Sequence, residues 1–280
     1  LLRRRIMNAL MIGLTCLCTL AAVGTLCFVL GYLGYHGARN LNWAFLTRTP
    51  RPVGEIGGGM ANAIVGSAKI LAIASAIGFP IGFLAGIYLS EFGKGWFPSA
   101  VRFVTDILNG VPSIVIGVFP YTILVLPMKH FSALAGGIAL GLMMIPIAVR
   151  GTEEFLRAVP NHLRDAAAAL GASKWRAIAT VVIPAAARGI VMALMLGLAR
   201  VAGETAPLLF TSFSNRFWSS GINQPTASLP VMIYTYAVAP YDDWHRQAWA
   251  AGFLLLVAIL GMNIIARAAV AHGFPRFRRT

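Results

Sequence analysis

The sequence predicts an all-α, polytopic membrane protein with six transmembrane helices. Three observations carry that expectation. First, 58% of the 280 residues are hydrophobic and only 11% are charged, far from the balance of an average soluble domain. Second, the apolar residues gather into runs of about 20 or more, the length needed to cross a hydrocarbon core. Third, 21 of the 23 Lys and Arg residues sit in the gaps between those runs, and they form no single basic face. The net charge of +14 therefore marks topology and sets a nucleic-acid surface aside.

Residues 6–35 contain no charge and follow Arg3-Arg4-Arg5. A secretory leader has an apolar core of only about 7–15 residues, so this run is a retained first span. Cys16, Cys18 and Cys27 all fall inside it and read as buried small hydrophobes, with neither a disulfide framework nor a metal site. Residues 36–60 form a polar, Pro- and Gly-rich loop in which Trp43 and Phe45 suit a membrane–water interface. The second span, 61–89, repeats glycine at Gly78, Gly82 and Gly86, a small-residue face that admits another helix closely. Pro80 is expected to kink it. Lys69 in the same span either snorkels to the interface or faces a cavity, and its flexible stem favours snorkelling.

The third span, 107–126, carries Pro112 and Pro120, with Pro127 just beyond, and should be an irregular helix shielded by protein or lining a cavity. A fourth covers 131–149, with Gly137, Gly141 and Pro146. A basic region, 150–188, follows. In it a helix is expected to start at Thr152 as N-cap, with Glu153 and Glu154 in its first turn, where carboxylates suit the helix dipole. The fifth span, 189–210, is interrupted by Arg200 and Glu204. A long segment, 211–246, mixes Tyr234, Tyr236, Tyr241 and Trp244 with Asp242 and Asp243, a composition that fits either an interface with another protein or packing at the membrane surface. The sixth span is 247–266. The chain thus divides into 1–59 (first helix and external segment), 60–270 (a five-helix core with the loop 150–188) and a basic tail, 271–280.

Six spans put both termini on one side. Fifteen of the Lys and Arg residues fall on that side and six on the other, with Lys69 and Arg200 inside spans. The positive-inside bias makes the termini and the 150–188 region cytoplasmic.

That region holds the most informative stretch, Arg164 to Pro184: R-D-A-A-A-A-L-G-A-S-K-W-R-A-I-A-T-V-V-I-P. The Ala-rich segment is a strong helix former, and Gly171 supplies the left-handed residue that ends such a helix. Ser173 is a fair N-cap for a second helix, with Trp175, Ile178 and Val182 on one face. Pro184 is expected to stop that helix and begin the next.

The stretch resembles the cytoplasmic loop of ABC importer permeases, E-A-A-x3-G-x9-I-x-L-P. Asp165, Ala166, Ala167, Gly171 and Pro184 stand at its positions, with Asp for Glu, Val181 for Ile and Ile183 for Leu. The resemblance extends along the chain to E-I-G-G-G-M-A-N-A-I-V-G-S, P-I-G-F-L-A-G-I-Y-L-S-E-F, D-I-L-N-G-V-P-S-I-V-I-G and G-E-T-A-P-L-L-F-T, which are similar to the PstA-type permease subunits of phosphate-specific ABC importers. It implies a type I ABC importer permease fold in the bacterial inner membrane. It also implies an importer built with a second, PstC-like permease, a PstB-like ATPase dimer and an external PstS-like phosphate-binding protein. In such an assembly, Asp165, Ala166, Ala167, Gly171 and Pro184 belong to the ATPase-coupling hairpin.

No nucleotide-binding P-loop, zinc-protease motif or nucleophile elbow occurs. The chain is therefore expected to be a non-catalytic subunit that binds no cofactor or metal itself and draws on ATP held by a partner. Arg200, Glu204 and Lys69 are the candidate pathway residues. Arg200 and Glu204 are four apart, so on one helix they share a face and can pair. They either line an anion pathway or form a structural ion pair. The alternatives are a permease for another small solute and, without use for the hairpin, a secondary transporter.

Overall fold

The computed structural model describes residues 2–55 and 57–273, and every regular element among them is helical. From residue 274 onward the basic tail lies outside the described residues. A long first helix, α1 (Leu2–Asn40), is followed by a short α2 (Trp43–Thr47), which Asn42 caps by accepting from the Phe45 N–H at 2.8 Å. Then come α3 (Ala61–Glu91), α4 (Trp96–Gly110), α5 (Ser113–Pro120), a π-helical turn at Tyr121–Val125, and α6 (Leu126–Met128). The chain continues through α7 (Ala133–Arg157), α8 (Asn161–Ala169), α9 (Lys174–Ala177), a second π-helical turn at Ile178–Val182, and α10 (Ile183–Ala202). It closes with α11 (Ala206–Thr211), α12 (Leu229–Ala237) and α13 (Asp242–Gly273).

Among the described residues, five helical runs are long and apolar enough to cross a bilayer: α1, α3, α7, Lys174–Ala202 and α13. Two expected spans differ: the fifth, placed at 189–210, is Lys174–Ala202, and the third is not one straight helix. The third is a pair, Trp96–Gly110 and Ser113–Met128, bent by 105°. Pro112 accounts for the break, because it holds the preceding Val111 in extended conformation (φ −68°, ψ 132°) and cannot continue the helix.

The molecule is built around the α3–α7 pair. As the sequence indicates, Gly78, Gly82 and Gly86 form the contact face. A Cβ on Gly78 would lie 2.9 Å from Met144 Cβ, one on Gly86 2.5 Å from Thr152 Cβ, and one on Gly82 would collide with Ala148 Cβ. Dispersion over this close approach replaces the hydrophobic drive that lipid cannot supply. Gly82→Ala is therefore expected to destabilise the protein by about 1–3 kcal/mol in detergent unfolding. Gly141→Ala, whose nearest neighbours would be at ordinary contact distance of 3.4 Å, should be neutral or better.

Three apolar clusters run along this pair. At its middle, Ile70, Leu140, Met144, Val201, Leu208 and Val231 join α3, α7, α10, α11 and α12. At the C-terminal ends of α3 and α7, Ile87, Leu156, Ile178, Val182 and Ile190 join the helices that follow. At the opposite end, Phe45, Met60, Tyr236, Ala250 and Ala251 form the third.

Several expectations need correction. Thr152 caps nothing: α7 runs unbroken from Ala133 to Arg157, burying Thr152 and Glu153 in mid-helix. Pro184 does not stop its helix, because Lys174–Ala202 is continuous. The π turn before it includes Thr180, four residues upstream, whose carbonyl the proline ring would otherwise strike; the π turn ahead of Pro127 likewise includes Ile123. The three cysteines are exposed rather than buried, since among the described residues α1 is covered only near its C-terminal end, with Gly37 under Phe253. Phe45 is buried in the core rather than at an interface, while Trp43 is exposed. The 211–246 segment is no simple loop: α12 packs on α3 and α13, burying Tyr236 against Trp244 at 4.3 Å.

Candidate functional site

Two features stand out at the end of the molecule where α3 and α7 terminate. One is an exposed helical hairpin and the other a basic cleft.

The hairpin is formed by α8 and α9. The Ala168 and Ala167 carbonyls accept from the N–H groups of Gly171 (2.9 Å) and Ala172 (3.1 Å), a Schellman ending to α8 with Gly171 at φ +76°. Ser173 stands at the N-cap position of α9 with extended backbone. Ile178 and Val182 face the core as the spacing indicates, but Trp175 stays mostly exposed, its ring 5.1 Å from that of Phe92. Of the residues the sequence singles out, Asp165, Ala166 and Gly171 are exposed, Ala167 is buried, and Pro184 is half-buried farther along the continuous helix. Leu170 projects from the tip at 89% exposure.

The hairpin's base is held by charges that the motif does not mention. Arg164 pairs with Glu91, the last residue of α3, at 2.8 Å. Lys174 donates to the Glu91 carbonyl at 2.6 Å and lies 4.0 Å above the Phe92 ring. Beside it, buried Glu153 is ringed by three arginines: Arg102 at 2.6 Å, Arg157 at 2.8 Å and Arg150 at 3.4 Å. Arg150 also pairs with Asp106 on α4, and Arg102 also donates to the Leu89 carbonyl at 2.8 Å. These bonds fasten the bent α4 to both α3 and α7. Sequence reading missed the cluster because it took Glu153 for a first-turn residue. The available signal was the spacing of Arg150, Glu153 and Arg157, three and four apart on one helix face.

The cleft, of about 460 Å³, opens between α7, α10 and α13. Among the described residues, Arg150, Arg188, Arg200 and Arg267 line it, with Glu154 as the one carboxylate and Asn109 and Asn263 as further polar groups. Of the three residues the sequence proposes for a pathway, Arg200 alone lines this cleft. Glu204 does not share its helix. The helix ends at Ala202 with Gly203 as C-cap, so the premise of a common face fails, and no Arg200–Glu204 ion pair forms among the described residues. Lys69 is neither free to snorkel nor in the cleft. It donates to the carbonyls of Ser219 (2.8 Å) and Gly221 (3.2 Å), pinning the segment between α11 and α12 to α3.

The G-E-T-A-P-L segment forms the break after α10 and the start of α11. Here Pro207 packs so closely on α5 that a Cβ on Gly117 would lie 2.6 Å from its Cα.

Comparison with known proteins places this arrangement. Residues 78–279 match the family described as "Binding-protein-dependent transport system inner membrane component". The chain is 48% identical over 236 residues to a Yersinia pestis protein named phosphate transport system permease protein PstA, covering 84% of this chain and 80% of that one. It is 44% identical over 271 residues to the Haemophilus influenzae protein of the same name, covering 96% and 95%. Among solved structures, an inward-facing MetNI methionine ABC transporter aligns with TM-score 0.59 at 19% identity, over 76% of this chain and 96% of that one. A bacterial ABC transporter involved in import of the acidic polysaccharide alginate also aligns with TM-score 0.59, at 13% identity, over 91% and 95%. At such identities the structures speak for the fold alone, which is that of type I ABC importer permeases. The chain belongs to the family of binding-protein-dependent transport system inner membrane components, and it is a multi-pass membrane protein.

Proposed function

We propose that this chain is the permease subunit of an ATP-driven importer and forms part of the pathway for inorganic phosphate. The carrying observation is the cleft with four arginines and one carboxylate. Phosphate near neutral pH bears between one and two negative charges, and the guanidinium fork matches its oxygens. Ionisable side chains at membrane depth are costly unless they face a cavity or a partner, and Arg200 faces this one. The PstA names of the relatives point to the same anion.

In this reading both termini and the hairpin are cytoplasmic. The hairpin's exposed Asp165, Ala166 and Leu170 dock on a PstB-like ATPase, which holds the ATP. A PstC-like permease completes the pathway, and a PstS-like binding protein delivers phosphate from outside. Asp242 and Asp243, which border a hollow with Glu55 and Tyr241, help to receive it. Glu204 shapes the pathway from the break after α10, and Lys69 does so from α3 by holding the segment between α11 and α12 in place.

The test is purification of the tagged chain with its partners. Co-elution of the ATPase is expected, and its repeated absence from a transport-competent membrane extract would contradict the reading. Gly171→Val should weaken that association. A Cβ there meets nothing within 4 Å, so the change acts through backbone strain alone, about 1–2 kcal/mol. Gly171→Asn, which tolerates the left-handed region better, should retain more of the ATPase than the valine variant.

A further inference from the structure

We infer that Arg164 is a positioning residue that makes the hairpin move as one piece with α3 and α7. A docked ATPase would then push on the interlocked helix pair as well as along the hairpin's own helix into α10. The inference rests on the transport reading above and specifies how its coupling runs.

One planar group joins three elements. From α8, Arg164 Nη2 donates to Glu91 Oε1 at 2.8 Å and to the Leu156 carbonyl at 2.8 Å. Its Nη1 donates to the Val159 carbonyl at 2.5 Å, and its Nε faces Glu91 Oε2 at 3.4 Å. Glu91 ends α3; Leu156 lies in the last turn of α7 and Val159 just past its end, where the helix potential is negative. The Glu91 side chain is 6% exposed and that of Arg164 22%, so water competes little for the pair. The other arm of the hairpin is fastened at the same point, through Lys174 on the Glu91 carbonyl and the Phe92 ring.

Between the two arms the tip is free, since Leu170 is exposed and Gly171 has open space around it. A body fixed at its base and free at its tip is a lever. Its base sits on α3, which cannot slide past α7 because Gly78, Gly82 and Gly86 interdigitate with Met144, Ala148 and Thr152. A lysine in place of Arg164 would lack the fork that spans a carboxylate and two carbonyls at once.

The experiment compares the wild-type complex with Arg164→Gln, Glu91→Gln, the double variant and Arg164→Lys in proteoliposomes. Phosphate taken up per ATP hydrolysed is read for equal amounts of assembled complex. Each single variant is expected to lower that ratio on the order of tenfold while hydrolysis continues. The double variant should be no worse than either single, because one linkage is lost only once. Unchanged ratios with a lower yield of complex would show a merely structural pair and overturn the inference, as would additive losses. Should Arg164→Gln fail to assemble, Arg164→Lys decides: a lowered ratio supports the positioning role and an unchanged one overturns it. Absence of ATP-dependent uptake by the wild-type complex is a separate result, which would overturn the transport reading itself.

Discussion

Replacing Glu153 by glutamine is expected to destabilise the protein more than removing any one of its three arginine partners. Glu153 is 2% exposed, and its charge alone offsets Arg102, Arg157 and in part Arg150. Breaking a buried ion pair leaves an uncompensated charge at about 3–5 kcal/mol. The arginines left behind are 20–53% exposed, so water recovers part of this, leaving a loss of roughly 2–3 kcal/mol. Arg157→Ala, by contrast, leaves Glu153 with two arginines and should lower stability by about 1 kcal/mol or less. Unfolding of the purified chain in detergent, followed by denaturant titration, gives both values. Equal losses for the two variants would show that the acid is not the centre of the cluster. The consequence reaches past stability, because this cluster is what ties the bent α4 to α7.

Arg200→Gln is expected to reduce phosphate uptake per assembled complex by at least about a hundredfold while leaving assembly intact. Arg200 is exposed to the cleft and holds no ion pair among the described residues, so its loss strands no buried carboxylate. A structural role would give the reverse outcome, with less complex but normal uptake for each complex formed. Glu204→Gln should have the smaller effect. Glu204 stands beyond the end of α10 and is not paired with Arg200, so it does not set the charge balance of the empty cleft. Counting complexes by stoichiometric ATPase content and measuring labelled phosphate uptake separates the two roles.

Much of this architecture is legible in the residues themselves. Apolar length finds five spans directly, the four-residue glycine repeat finds the face of α3 that another helix approaches, and Gly171 finds the turn of the hairpin. These signals are local: each needs only its own neighbours in sequence to be expressed. What the residues leave unread is long-range or depends on how a helix end is resolved. Pro112 breaks a helix whereas Pro184 is absorbed by a π turn, and only the register of the preceding carbonyls separates the two cases. Glu153 reads as a first-turn carboxylate until α7 is seen to continue through it. Lys69 finds its carbonyl partners 150 and 152 residues away, and Arg164 finds Glu91 at a separation of 73. Cys16, Cys18 and Cys27 read as buried because apolar runs are usually covered, yet α1 leaves most of its length outside the rest of the chain. The same holds for Arg200 and Glu204, where four-residue spacing carries meaning only if the helix persists, and Gly203 ends it.

The central claim is that a complex containing this chain moves phosphate inward at the expense of ATP. Its most direct measurement is uptake by proteoliposomes holding the two permeases, the ATPase and the external binding protein, with labelled phosphate, sulfate and molybdate offered separately. Phosphate should accumulate only with hydrolysable ATP and binding protein present, and neither of the other oxyanions should do so at a comparable rate. Accumulation of sulfate or molybdate in preference to phosphate, or phosphate uptake indifferent to ATP, would contradict it.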